Sequence, residues 1–302
     1  MRQFLYLLFF FALSTPALAW NAAGHRQAAI IAWQQLSPPA RAAVERILAS
    51  HPDYERWQEK AGTRDGMAVF AEASTWPDDI RKDPRFYDEA RETATPPLPG
   101  LPDTARHKRW HYVDMDPEGR VETGELDRQI ERLSRLLRPR KGETASPARQ
   151  AEISYALPWL AHLVADIHQP LHVGRHDDEG GNRVAIENPF NRRRPFGNLH
   201  AYWDDLPGPP WLRGKRLEKI AAYLIDNYPP PEQGNVALWR DESHRLLARV
   251  YPDTGDTPRP RIDERFQRQA RDLANRRVVD AGYRLGRLLD SLFGQPNTRE
   301  SQ

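Results

Sequence analysis

The chain has 302 residues, with 44 basic and 42 acidic side chains, ten histidines and no cysteine. So even a charge balance excludes capture of nucleic acid by overall attraction; any electrostatic capture is local. Without cysteine there are no disulfides, so stability must come from core packing and bound metal.

Met1-Arg2-Gln3, the apolar run from Phe4 to Leu13 and Ala17-Leu18-Ala19 follow the order of a secretory signal peptide with an Ala-x-Ala cleavage site. The apolar run is too short to span a bilayer comfortably. The mature chain is therefore expected to begin at Trp20, and nothing after residue 19 reads as a transmembrane segment. A soluble secreted or periplasmic protein follows, with no membrane contact after cleavage and no obligate protein partner evident. Ser37-Pro38-Pro39 predicts an N-cap and proline-started helix reaching about Ser50. Thr93 to Pro102 is proline-rich and predicts a surface loop. Thr123 is expected to cap a helix in which Leu126, Ile130, Leu133 and Leu137 recur at three- and four-residue steps. Ser146-Pro147 opens a long helix carrying Ile153, Leu157, Leu160 and Leu163, bent at Pro158 and ending near Pro170.

Arg175 to Leu199 reads as a long ordered loop containing Gly180-Gly181-Asn182 and the run Arg192-Arg193-Arg194. That run fits a solvated loop more readily than a phosphate tract. Pro229-Pro230-Pro231 separates two helices. Trp239, Leu246, Leu247 and Val250, then Val278, Val279, Leu285, Leu288, Leu289 and Leu292, predict amphipathic helices packed in a bundle. The strand period is almost absent, and there is no internal repeat or clear boundary. The expected architecture is all-α, a single helical-bundle domain over residues 20–295 followed by a polar tail at 296–302.

The chemistry concentrates in His162-Leu-Val-Ala-Asp166-Ile-His-Gln-Pro-Leu-His172 and His200-Ala-Tyr-Trp-Asp204. A histidine and a carboxylate four residues apart share one helix face. One such pair arises by chance; two, with His172 just past a proline break, supply the nitrogen and oxygen ligands that zinc accepts. More than one ion is expected.

Three further segments join them. Trp20-Asn-Ala-Ala-Gly-His25 would place a free α-amino group and its carbonyl, which together chelate a metal, close to an imidazole. Trp76-Pro77-Asp78-Asp79-Ile80-Arg81 and Trp110-His111-Tyr112-Val113-Asp114 follow. These five segments, in this order from residue 20 to residue 204, resemble the S1/P1 nuclease family of zinc-dependent single-strand nucleases and 3′-nucleotidases. The resemblance implies an all-α fold of the phospholipase C / P1 nuclease type with three zinc ions in a cleft. Carried over by position, Asp78, His111, His162 and Asp166 hold one ion. The Trp20 amine and carbonyl, with His25 and the bridging Asp166, hold its close neighbour. His172, His200 and Asp204 hold the third. A close pair of this kind generates the attacking nucleophile and clamps a phosphoryl oxygen. Asp78 and Asp166 thus belong to the catalytic machinery, as does Arg81, whose planar guanidinium suits two phosphoryl oxygens at once. Tyr112 matches an aromatic on which the base stacks and Asp114 a carboxylate that bonds the base edge. Asn182 reads as support around the site, made possible by the turn at Gly180-Gly181.

The segment between Asp78 and His111 is longer than in the fungal members, which makes His107 a competitor for the ligand position; the string Trp-His-Tyr-Val-Asp favours His111. His168 and His176 match no ligand position. The absence of disulfides points to the bacterial branch. The expected activity is hydrolysis of single-stranded DNA and RNA to 5′-phosphorylated products, together with 3′-nucleotidase activity. A zinc phospholipase C is the nearest rival, disfavoured by the short spacing from Trp20 to His25 and by Asp204 where those enzymes carry Glu. A non-catalytic zinc-stabilised binding protein is a second, disfavoured because structural zinc sites are usually closed and often rich in cysteine.

Overall fold

The computed structural model describes residues 20–140, 146–253 and 257–294. The expected signal peptide and the polar tail lie outside the described residues, as does residue 295. In chain order the helices are α1 (Ala22–Gln35), α2 (Pro38–Ala49), α3 (Tyr54–Ala61), α4 (Gly66–Ala73), α5 (Trp76–Asp79) and α6 (Leu126–Leu137). There follow α7 (Pro147–Asp166), α8 (Leu199–Asp204), α9 (Gly214–Asn227), α10 (Val236–Arg245), α11 (Leu247–Val250) and α12 (Glu264–Phe293). The fold is all-α apart from two antiparallel hairpins of very short strands, β1 (Val113–Met115) with β2 (Val121–Gly124) and β3 (Ala185–Glu187) with β4 (Phe196–Asn198).

Two helices occupy the centre because their sequences leave no polar face to give to water. α1 is buried without a break from Ala23 to Trp33. α7 is buried from Ser154 to Asp166 and passes through Pro158 as one helix. A helix apolar on every side must lie inside the domain, and any polar group it carries inward needs a partner there. α6 packs on α7 with the four residues its periodicity predicts, Leu126, Ile130, Leu133 and Leu137, all buried. One buried apolar cluster runs from Trp20 to Phe293. No helix among the described residues is long and apolar enough to cross a membrane.

α1 also lies along α12 at backbone distance. A Cβ added at Gly282 would sit 2.5 Å from the Ile31 Cβ and 2.9 Å from the Ala28 carbonyl oxygen. Gly282→Ala should therefore destabilise by about 1–3 kcal/mol through overpacking, although alanine is the better helix former. A thermal melt checks this: each kcal/mol lowers Tm by about 2–4 °C at this size. A variant melting at or above wild type would mean that the contact has slack.

Two expectations need correction. Thr123 does not cap the helix at Leu126; it lies in β2, opposite Asp114, and Glu125 stands at the helix start. The Tyr112 carbonyl takes the N–H groups of both Glu125 and Leu126, so the chain is turned by a backbone acceptor. The stretch from Arg175 to Leu199 is not a loop throughout, since it contains the β3–β4 hairpin. Ser37-Pro38 and Ser146-Pro147 do start α2 and α7, and Pro229-Pro230-Pro231 does separate α9 from α10.

Candidate metal centre

α7 delivers His162 and Asp166 on one face, one turn apart, with the His162 Nε2 3.3 Å from the Asp166 Oδ2. α8 delivers His200 and Asp204 in the same way, at 3.6 Å. His25 comes from the first turns of α1, Asp78 from α5, His111 from a 3₁₀ turn (Lys108–His111) and His172 from another (Pro170–Val173). All except Asp78 are buried.

These side chains converge in three triads: His25, Asp78 and His162; His111, His162 and Asp166; and His172, His200 and Asp204. Within each triad one ligand atom per residue lies within 4.8 Å of the others. The first two share His162, so they form one five-residue cluster. Asp166 sits across it. Its Oδ2 is 3.1 Å from the His111 Nδ1, while its Oδ1 is 3.4 Å from the His25 Nε2. The His25 and His162 rings stack with centroids 3.8 Å apart.

The hydrogen bonds show which atoms are left for a ligand. The His162 Nδ1 donates to the Ser74 carbonyl at 2.9 Å, the His172 Nδ1 to the His111 carbonyl at 2.5 Å, and the His200 Nδ1 to the Gly180 carbonyl at 2.6 Å. A histidine tied down in this way presents a bare lone pair at Nε2. The Nε2 atoms of His172 and His200 then face each other at 3.1 Å, lone pair to lone pair. That arrangement is repulsive unless a cation or a proton lies between them. In the other cluster both ring nitrogens of His25, one Asp166 oxygen and one Asp78 oxygen are buried without a hydrogen-bond partner. Buried polar atoms are almost always satisfied, so this many orphans gathered in one cluster fits a group of metal ligands.

The electrostatics agree. Burial, helped by neighbouring imidazoles, holds His25, His111 and His172 well below the usual histidine pKa, keeping them neutral and able to ligate. Burial pushes Asp166 up to about 6 and Asp204 well above the carboxylate range. For His162 burial acts downward, but Asp166 and Asp78 overcome it and hold the pKa up. Carboxylates buried to this degree are costly as anions unless a cation joins them.

Arg81, in the turn after α5, lies against the cluster with its Nε 3.4 Å from the Asp78 Oδ1. The Gln169 amide donates to the Asp204 Oδ1 at 2.9 Å, a supporting contact that the sequence reading missed although Gln169 stands between two ligand candidates. Trp20 is wholly buried ahead of α1, and the N–H of Asn21 donates to the Asp204 carbonyl at 3.1 Å. Gly24 makes room for it: a Cβ there would meet the Trp20 Cβ at 2.8 Å. The start of α1 is thus packed against the end of α8.

Of the candidate substrate contacts, Tyr112 is half-buried next to His111, and Asp114 is buried. Asp114 faces His176, whose exposed ring approaches its Oδ2 to 3.4 Å, a partner set aside in the sequence reading. Asn182 does not reach the ligands; its side-chain amide donates to the Glu179 carbonyl and closes the turn from which Gly180 reaches His200. His107 is not in any triad. It stacks on Trp110 and pairs with Asp103 at 2.7 Å. His168 is buried away from the triads, bonded to the Val164 carbonyl and to Arg284.

The description S1/P1 Nuclease belongs to a family whose profile matches residues 20–294. Endonuclease 4 of Arabidopsis thaliana is 25% identical, with 93% of this chain and 91% of the relative covered. Endonuclease 2 of the same plant is 40% identical over 50% of this chain and 56% of its own length. Endonuclease 1 is 30% identical over 62% and 53% respectively. A match over nearly the whole chain, on a fold that gathers histidines and aspartates into three metal-ready groups, places the chain in the S1/P1 nuclease family, as a nuclease-type hydrolase.

Proposed function

We propose that this nuclease is zinc-dependent, holds three ions, and hydrolyses single-stranded DNA and RNA to 5′-phosphorylated products, with 3′-nucleotidase activity. The observation that carries the reading is Asp166, with one oxygen turned to His25 and the other to His111 and His162. A carboxylate so placed serves two ions. One ion would take Asp78, His111, His162 and Asp166; the second would take His25, Asp166 and the Trp20 amine and carbonyl; the third would take His172, His200 and Asp204. Zinc bound in such a set lowers the pKa of water and polarises a phosphoryl oxygen.

The chain's own groups do the rest. Arg81, set beside Asp78, offers its guanidinium to the non-bridging phosphate oxygens and offsets the charge that grows on them. Water adds to phosphorus, the bond from phosphorus to the 3′-oxygen breaks, and the phosphate stays on the 5′ end of the following nucleotide. Tyr112 stacks the base, and Asp114, oriented by His176, meets its edge. Asn182 acts through the turn that it closes. Use of the Trp20 amine requires removal of residues 1–19, which goes with secretion or export to a periplasm. Single-stranded nucleic acid and 3′-nucleotides are then the partners, with no obligate protein.

Tyr112→Ala should lose about 1–3 kcal/mol of binding while leaving metal content unchanged. The expected result is a raised KM for nucleic acid and unaltered hydrolysis of a phosphodiester that lacks a base. Equal loss on both substrates would place Tyr112 in the structural core.

The reading as a whole is tested by product analysis on denatured DNA and by trial of a phosphatidylcholine emulsion. Fragments with 5′-phosphates and an untouched lipid are expected. Lipid hydrolysis without cleavage of single-stranded DNA would reverse the choice in favour of a phospholipase C.

A further inference from the structure

The β3–β4 hairpin carries Phe190, Arg192, Arg193, Arg194 and Phe196 in seven residues, and no acidic residue occurs between Glu187 and Asp204. The three arginines are exposed, and among the described residues their guanidinium groups have no carboxylate partner. The two aromatic rings are exposed as well, Phe190 at 47% and Phe196 at 61%. The segment at 257–262 runs beside the hairpin, joined to it by an isolated bridge between Glu187 and Arg261, and brings Arg259 over the Phe196 ring at 5.4 Å. The exposed rings cost solubility and gain nothing in the core. Rings and arginines together are what a single strand needs, charge for the backbone and π-faces for the bases.

The hairpin is also fixed to the metal centre. Asn198 ends β4 and caps α8 by accepting from the Ala201 N–H, and the His200 N–H reaches the Gly181 carbonyl. Phe196 lies four residues from His200, roughly 10 Å along a strand and the first step of a helix. A strand held at the metals reaches the hairpin within a few nucleotides.

We infer that the β3–β4 hairpin is a landing surface for single-stranded nucleic acid beyond the nucleotide being cleaved. Arg192, Arg193 and Arg194 take phosphates there, and Phe196 takes a base. The inference rests on the nuclease reading above and adds a dependence on substrate length that a mononucleotide cannot reveal.

The test uses the mature zinc-loaded protein, the triple variant Arg192→Ala, Arg193→Ala, Arg194→Ala, and Phe196→Ala. The substrates are a long oligothymidylate, a dinucleotide and 3′-AMP. For the long strand the triple variant should raise KM about tenfold or more at low salt. It should also flatten the fall of log kcat/KM with log salt by about 2, since each single-strand phosphate contact contributes about 0.7. Phe196→Ala should raise KM for the long strand roughly fivefold or more. Both variants should treat 3′-AMP as wild type does, with unchanged zinc content. An unchanged salt slope and KM on the long strand would overturn the inference, as would equal loss on 3′-AMP, which would assign the hairpin to support of His200. A wild-type protein that cuts neither nucleic acid nor 3′-AMP would sink the nuclease reading itself, and is distinguishable from both.

Discussion

Asp166→Asn is expected to lower kcat/KM on denatured DNA by roughly a thousandfold or more, the scale on which loss of a single electrostatic stabiliser acts. The amide keeps the size of the side chain but removes the charge that would offset the two proposed divalent cations. It also replaces an oxygen facing His25 or His111 by an NH₂ group, whose protons point where a ligand lone pair is required. Measured zinc should fall by more than one ion per chain if Asp166 bridges the proposed close pair. Stability carries a second signature. In the metal-free protein the Asp166 pKa is raised to about 6, above its unfolded value near 4. That shift favours the folded state below about pH 4, and its contribution is lost as pH rises through about 6. The Asn variant, stripped of metal, should lack this part of the pH dependence. Full zinc content with near wild-type turnover would remove Asp166 from the bridging position.

The second large effect is at the chain start. A protein with even one residue ahead of Trp20 should lose the ion proposed for Trp20 and His25, and with it most of its activity. A free amine donates its lone pair to a metal; an amide nitrogen does not, because that pair is delocalised into the peptide bond. The added residue must also find space where Trp20 is wholly buried and packed on Gly24. Comparison of the processed protein with one bearing Met or Gly-Ser before Trp20, by zinc stoichiometry and hydrolysis of denatured DNA, decides the point. Equal zinc and equal rate in the extended protein would exclude the N-terminus as a ligand.

Asp166 could be picked out of the sequence by periodicity, whereas Trp20, which lies ahead of α1, was named only on the expected cleavage after Ala19 and the family resemblance. A helix of 3.6 residues per turn sets His162 above Asp166 and His200 above Asp204 whatever the tertiary fold does. The buried stripe of α6 was legible on the same ground. What depended on long-range contact was not. The carbonyls of Ser74, His111 and Gly180 orient three of the histidines. Every residue owns a carbonyl, so residue type gives no sign of it. His176 meets Asp114 from 62 residues away, a contact with no local signature. The strands β3 and β4 have three residues each, too few for a period of two to register. Thr123 misled because threonine, a capping residue, is β-branched and suits strands as well. The choice of His111 over His107 rested on its neighbours in the sequence; the fold gives it a physical basis by stacking His107 on Trp110, away from the triads.

The central claim is that these buried histidines and aspartates hold catalytic zinc, and zinc counting on the processed protein, run beside an assay on poly(A), denatured DNA and 3′-AMP, tests it most directly. The account predicts three ions per chain, turnover of all three substrates, loss of turnover on chelation and its return with zinc. A protein that holds its zinc firmly yet turns over none of the three would contradict it, and would make the cluster a structural device of a binding protein.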